Sequence, residues 1–298
     1  MYNDDLFNKQ RIWSEKSLFL MRELLPLMAP VAQYDGWSNE ERETLGFLLS
    51  ATARASESVM LLCAYGQLWD AELIGRSVLE GSLKFIYLLQ SRDDFKQRYT
   101  QYSEDLFNIG LLKDHQKTLD LLNASSDPDA AEWKPFREKL LSDEEVASIK
   151  SQCGKSERRA LEAQWGFTGL IGALTKLDSQ RYASIAMLAH GYSTASHIQH
   201  ADYIGVSIPI ERDLRTDERR NSIHLAHMVR LISDIFSFFY LRLSTGYRYI
   251  NHDPTPLQGA REKIDRLQAS FGDVYGSWMS SEYKNDASES DNQQLFRY

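Results

Sequence analysis

The chain has 298 residues, 43% hydrophobic and 26% charged, with 16 glycines and 7 prolines; this length holds one large domain or two modest ones, and the shortage of breakers argues against many short strands. A net charge of −8 excludes a global field that would hold nucleic acid, so any RNA would have to bind through a local site. Two cysteines, Cys63 and Cys153, with no CxxC, exclude a disulfide framework and a cysteine zinc site and predict a reducing compartment, the cytoplasm.

The first residues, Met1-Tyr2-Asn3-Asp4-Asp5, are polar and acidic, unlike a secretory leader. No run of about 18 uncharged apolar residues is present, which predicts no membrane span and no membrane partner. Leu6, Ile12, Leu18, Phe19, Met21, Leu24, Leu25 and Leu27 recur at helical spacing, predicting a helix over 5–28 ended by Pro26 and Pro30. Ser38-Asn39-Glu40-Glu41 is a helix start, a capping hydroxyl followed by acids. The helix it opens should run to Tyr65, break at Gly66, and be followed by a second over 68–89 as an antiparallel hairpin.

A further helix is expected over 93–122 and a loop over 123–135, where Ser125-Ser126-Asp127-Pro128-Asp129 falls. The charged stretch 136–164 predicts short surface helices, followed by an apolar helix at 167–177. Residues 180–203 and 216–245 read as helices, Asp253-Pro254-Thr255-Pro256 as a linker, and 257–271 as the last helix before a polar tail that is disordered from Ser280 up to Leu295-Phe296. The predicted fold is therefore all-α, a multi-helix bundle with long antiparallel core helices. It divides into an N-terminal helix (1–36), a bundle core (37–252) with a charged insertion at 123–164, and a C-terminal helix and tail (253–298).

Five of the seven histidines lie at 190, 197, 200, 224 and 227. At about 100° per residue, His190, Ser193, His197 and His200 share one stripe, flanked by Ser196 and Tyr203. Arg220, His227 and Asp234 are seven apart on the next long helix and nearly coincide in projection. Three readings stand open. His197-x-x-His200 with His190 or His224 has zinc-ligand spacing, but without HExxH or a cysteine, so no metal and no cofactor are expected. Acid–base chemistry on RNA would use His227 to move a proton and Arg220 to stabilise phosphate charge. Buried hydrogen bonding that fixes helix register needs neither.

Upstream, Arg76 and Glu80 sit one turn apart on an otherwise apolar helix, close enough to pair. The stretch from Ala53-Arg54-Ala55-Ser56-Glu57-Ser58 through Gly66 to Arg76-Ser77-Val78-Leu79-Glu80 resembles the first half of a prokaryotic family of unknown function, the domain numbered 5677. Trp165 followed by Tyr192-Ser193-Thr194-Ala195-Ser196-His197-Ile198-Gln199-His200 resembles its second half, with Tyr192, Ser196 and His200 at the motif positions. The resemblance covers about residues 40 to 205 and implies an all-helical fold in which Arg76 and Glu80 act with the histidine helix; it implies no reaction. Separately, Arg220-Asn221-x5-His227 resembles the short R-x4–6-H motif of HEPN ribonucleases and toxins, which implies a metal-independent nuclease with its site formed across a dimer.

The function expected first is a HEPN-like ribonuclease, as a toxin or phage-defence effector. His200, His227, Arg220 and Ser196 would be catalytic, and Arg76, Glu80, Tyr192, His197 and His224 would bind substrate. The alternative is a non-enzymatic helical module that binds a ligand or a protein partner through a buried Arg/Glu/Ser/His network. A homodimer is expected under the first reading.

Overall fold

The computed structural model describes residues 4–283, apart from the side chains of Ser184 and residues 186–190. The described residues are helical with no strand, and the chain divides into two compact units, one of residues 1–86 and 184–298 and the other of 87–183. The second unit extends past both ends of the insertion expected at 123–164.

The first unit begins with α1 (Asp4–Leu24), which tightens into a 3-10 turn (Leu25–Met28) where Pro26 cannot continue the α-helical ladder. A single turn, α2 (Ala29–Ala32), follows. α3 (Asn39–Ala64) opens with the expected capping box: Ser38 Oγ accepts from the Glu41 N–H at 3.2 Å and Glu41 accepts from the Ser38 N–H at 2.9 Å. Gly66, at φ +75°, turns the chain into α4 (Leu68–Leu89). By length and composition alone α3 is apolar enough to cross a membrane. Its buried positions, Leu45, Leu48, Val59, Met60 and Cys63 among them, lie on a helix that packs against α1, as in a core helix.

The second unit contains α5 (Phe95–Thr100) and α6 (Leu106–Ala124), joined by a π turn at Gln101–Asp105, so the expected long helix forms with one irregular turn inside it. Trp165 Nε1 donates to Gln101 Oε1 at that turn, at 3.1 Å, and the Trp165 ring meets Tyr87 and Tyr102. α7 (Lys134–Arg137), α8 (Asp143–Gln152), α9 (Lys155–Trp165) and α10 (Phe167–Leu177) are short. α8 starts at a capping box on Ser142 and Glu145.

The chain returns to the first unit through α11 (Ala183–His200). Here the structure departs from the expected helix over 180–203. Ala201 takes φ +47°, Asp202 caps a new helix by accepting from the Gly205 N–H at 2.9 Å, and α12 (Tyr203–Asp213) leaves in a new direction. The corner closes because residue 205 is glycine: a Cβ there would lie 2.1 Å from the His197 carbonyl oxygen. Gly205→Ala should therefore cost about 1–3 kcal/mol through overpacking, and Ala201→Gly should gain roughly 1 kcal/mol by relieving the left-handed backbone. Urea melts of the two variants check both signs.

α13 (Asp217–Ile250) is the spine of the first unit and ends where Asn251 adopts φ +55°, a left-handed cap. Its Met228, Leu231, Ile232, Ile235, Phe236, Phe239 and Leu243 are buried. α14 (Thr255–Ala269) and α15 (Val274–Glu282) pack against α13. Thr255 and Pro256 belong to α14 rather than to a linker, because proline suits the first helical turn. α15 is a helix beyond the expected last one, and it holds Ser280. The rest of the polar tail from 284, with Leu295-Phe296, lies outside the described residues.

Arg242 is 1% exposed. Its guanidinium donates to Ser82 Oγ, its Nε has no hydrogen-bond partner, and burial pulls its pKa down to about 9.

Candidate functional site

A polar cleft opens in the first unit where α4, α11 and α13 meet. Its floor is apolar: Leu79, Ala195, Leu231, Ile235 and Phe238. Its polar groups are Glu72 and Arg76 from α4, Tyr192 from α11, and Arg230 and Asp234 from α13. Gly75 and Gly191 also line it, and a Cβ on residue 191 would sit 3.3 Å from Arg230 Nη1. The enclosed space is small, about 40 Å³, and the cleft is otherwise open to solvent.

One side of the cleft is a triad. Arg76 Nε donates to Glu80 at 3.1 Å, and its other nitrogens donate to the Tyr192 hydroxyl at 2.6 Å and to Gln199 Oε1 at 2.7 Å. Tyr192 in turn donates to Glu80 Oε1 at 2.8 Å, and the guanidinium lies over the Tyr192 ring at 4.2 Å. Burial and the neighbouring Glu80 raise the Tyr192 pKa. The tyrosine therefore stays protonated and relays from the arginine to the carboxylate.

The other side is a chain of charges with a buried centre, Glu72 and His227, and a solvent-facing end at Arg230, 42% exposed. Glu72, 5% exposed, accepts from Arg230 Nη2 at 2.7 and 2.6 Å and from His227 Nε2 at 3.2 Å. Arg230 also donates to Asp234 at 2.8 Å. On its far edge, His227 Nδ1 lies 2.7 Å from Arg212 Nη1. An arginine only donates, so Nδ1 accepts, and the proton of His227 resides on Nε2 and points at Glu72. Trp69 packs beside this imidazole, ring centroids 4.9 Å apart, and Arg212 lies 4.3 Å above the Trp69 ring.

Electrostatics follow from burial and partners. Burial, against the pull of Glu72, brings the His227 pKa down to about 4, with Arg212 and Arg230 adding to the fall. Burial brings His224 to about 4 as well; its Nε2 donates to Gln10 Oε1 at 2.6 Å. Burial alone would raise Glu72, but the hydrogen bond from His227 and the charge of Arg230 outweigh it and hold the carboxyl below its usual range. Asp234 goes the other way: burial, reinforced by Glu72, raises it to about 6 despite Arg230. Asp234 is thus the cleft carboxyl that changes charge near neutrality, while His227 is neutral with both nitrogens committed.

The residues singled out in the sequence distribute unevenly. Arg76, Glu80 and Tyr192 come together as one hydrogen-bonded triad. His197 pairs at 2.6 Å with Asp202, the cap of α12. Ser196 is half-buried and His200 exposed, and neither lines the cleft. His224 and His227 are buried on α13. Arg220, one helix with them, donates to Asp217 and to the Asp213 carbonyl at the start of α13. The side chain of His190 lies outside the described residues. Among the described residues, no group of three or more His, Cys, Asp or Glu is placed to hold a metal.

Sequence reasoning did not find Glu72, Arg212, Arg230 or Trp69. The available signal was Glu72 itself, an acid four residues before Arg76 on the apolar α4. Its partners lie more than 150 residues away, beyond any local pattern.

A family model described as "Family of unknown function (DUF5677)" matches residues 43–221, well over half of the chain. No curated protein and no solved structure matches it.

Proposed function

The chain belongs to this family of unknown function, and from that premise we propose that it is a non-enzymatic helical binding module whose cleft between α4, α11 and α13 takes a small ligand with an anionic head and an apolar body. The observation that carries this reading is the convergence of Arg76, Tyr192 and Arg230 from three helices over an apolar floor. Arg76 and Arg230 each make three hydrogen bonds to protein partners, and their remaining N–H groups suit a carboxylate or phosphate that shares the guanidiniums with Glu80, Glu72 and Asp234. The floor suits a short aliphatic or aromatic body. The histidine beside the cleft supports binding over turnover. His227 is neutral, donates to Glu72 and accepts from Arg212, so it has no free lone pair for a substrate proton.

The ribonuclease reading rests on the spacing of Arg220 and His227. These two side chains engage different neighbours, Asp217 for the arginine and Glu72 for the histidine. That favours the binding module.

The test is a thermal-shift screen of the full chain against short and aryl carboxylates, phosphate monoesters and matched amines. A carboxylate or phosphate should raise Tm by about 5–10 °C at a hundred times its Kd. The rise should vanish in Arg76→Ala and persist in Lys263→Ala. Stabilisation by the amines alone would contradict the reading. So would cleavage of RNA by the purified protein that is lost in His227→Ala, which would restore the nuclease.

A further inference from the structure

α12 is amphipathic in the reverse sense. At about 100° per residue, Tyr203, Val206, Ile210 and Leu214 fall on one stripe about 80° wide. That stripe faces outward, with exposures of 69%, 45%, 60% and 77%. The opposite side turns inward. Gly205 is buried against the backbone of His197, Ile208 and Pro209 are half-buried, and Arg212 reaches over Trp69 to His227. A surface helix ordinarily buries its apolar stripe and shows its charges; α12 turns a half-buried arginine inward and shows the stripe. A contiguous apolar patch of this kind marks a contact surface.

The borders of the stripe say what covers it. By the same helical rotation, Asp202 and Asp213 lie along one edge and Glu211 along the other, at about 60–100° from its centre. All three are exposed. The arginines of this corner turn back into the unit: Arg215 onto Glu211 and Glu282, Arg219 onto Glu282, Arg220 onto Asp217. Arg215 offsets Glu211, so Asp202 and Asp213 along one edge carry the net charge around the stripe. A second copy packed antiparallel would set Asp202 of one chain against Glu211 and Asp213 of the other. RNA and an anionic membrane meet the same repulsion.

We propose that the outward face of α12 docks an amphipathic helix of a protein partner, one whose apolar stripe is bordered by lysine or arginine. The helix lies in the groove-free, stripe-on-stripe manner of a two-helix seam, and its basic borders meet Asp202, Asp213 and Glu211. Because Arg212 is on the reverse side of the same helix, the docked face backs directly onto the His227–Glu72 chain. The proposal does not depend on what the cleft binds.

The test uses the full chain and three synthetic 14-residue peptides read by fluorescence anisotropy: a leucine stripe bordered by lysines, the same stripe bordered by glutamates, and a scramble of the first. The lysine-bordered peptide should bind at least about tenfold more tightly than the other two. Leu214→Glu and Ile210→Glu should each weaken it about tenfold, and so should Asp213→Lys. All three substitutions are at exposed positions, so circular dichroism and Tm should not move. Leu214→Glu adds negative charge, so attachment by charge alone would tighten rather than weaken. Binding no better than the scramble, binding indifferent to Leu214→Glu, or equal affinity for the glutamate-bordered peptide each overturns the proposal. So does a wild-type dimer that Leu214→Glu renders monomeric, which would make a second copy the occupant, or cosedimentation with anionic phosphatidylglycerol vesicles that Leu214→Glu abolishes.

Discussion

Between pH 7 and pH 4 the folded protein should lose roughly 3–4 kcal/mol of stability from three buried groups of the first unit. His224 and His227 have native pKa values of about 4, lowered by burial. An unfolded histidine takes a proton near 6.5. As pH falls below 6.5 the unfolded chain binds protons that the native state refuses, so stability declines until the native pKa is reached, by roughly 3 kcal/mol per histidine. Asp234 opposes this. Its native pKa is raised to about 6, so between 6 and the unfolded value near 3.8 the native state binds the extra proton and gains roughly 2 kcal/mol. Glu72, held low, adds a loss only at more acid pH. Urea midpoints at pH 7, 5.5 and 4.5 read the net slope, and His224→Gln, which keeps a donor for Gln10, should remove close to half of the histidine loss. A flat profile, or a slope untouched by that substitution, would sink the account.

Glu72→Gln is expected to cost about 2–3 kcal/mol, because the buried carboxylate loses its match to its donors while its ionic partner Arg230, 42% exposed, can turn to water. The carboxylate accepts from Arg230 Nη2 on both its oxygens and from His227 Nε2. A glutamine offers one oxygen and turns an NH2 toward one of those donors, so a donor meets a donor where a bond stood. Arg230 then keeps only Asp234 of its two carboxylates. Glu80→Gln is the control: its side chain is 33% exposed, and its loss should be about 1 kcal/mol or less. Equilibrium unfolding of both variants decides the matter. If Glu72→Gln costs no more than Glu80→Gln, the chain from Arg212 to Asp234 is not what ties α4 to α13.

Much of this fold could be read from local signals. The capping box at Ser38, the break at Gly66 and the apolar periodicity of α4 are each written within a few residues. The corner between α11 and α12 is not. Its left-handed residue is an alanine, the glycine that lets it close, Gly205, sits four residues further on inside the next helix, and the stripe of α12 looks like core when only periodicity is counted. Periodicity finds a face but not which way the face points. The same limit governs the site. Arg76 and Glu80 are one turn apart and visible as a pair, whereas the bond from Glu72 to His227 joins residues 155 apart. The seven-residue repeat of Arg220, His227 and Asp234 put them on one helix face but not at one depth. The first lies among the acids of the helix start, the second in the core, and the third at the cleft mouth.

Arg242 has a consequence for how the first unit opens. A guanidinium sealed among apolar side chains gains hydration the moment water reaches it, and that gain offsets part of the cost of separating α4 from α13 around Ser82. Openings that expose Arg242, three-quarters of the way along α13, thereby cost less than the burial of its apolar neighbours alone would demand. The amide protons flanking Arg242, deep as they are, would exchange with solvent through smaller excursions than their burial alone suggests.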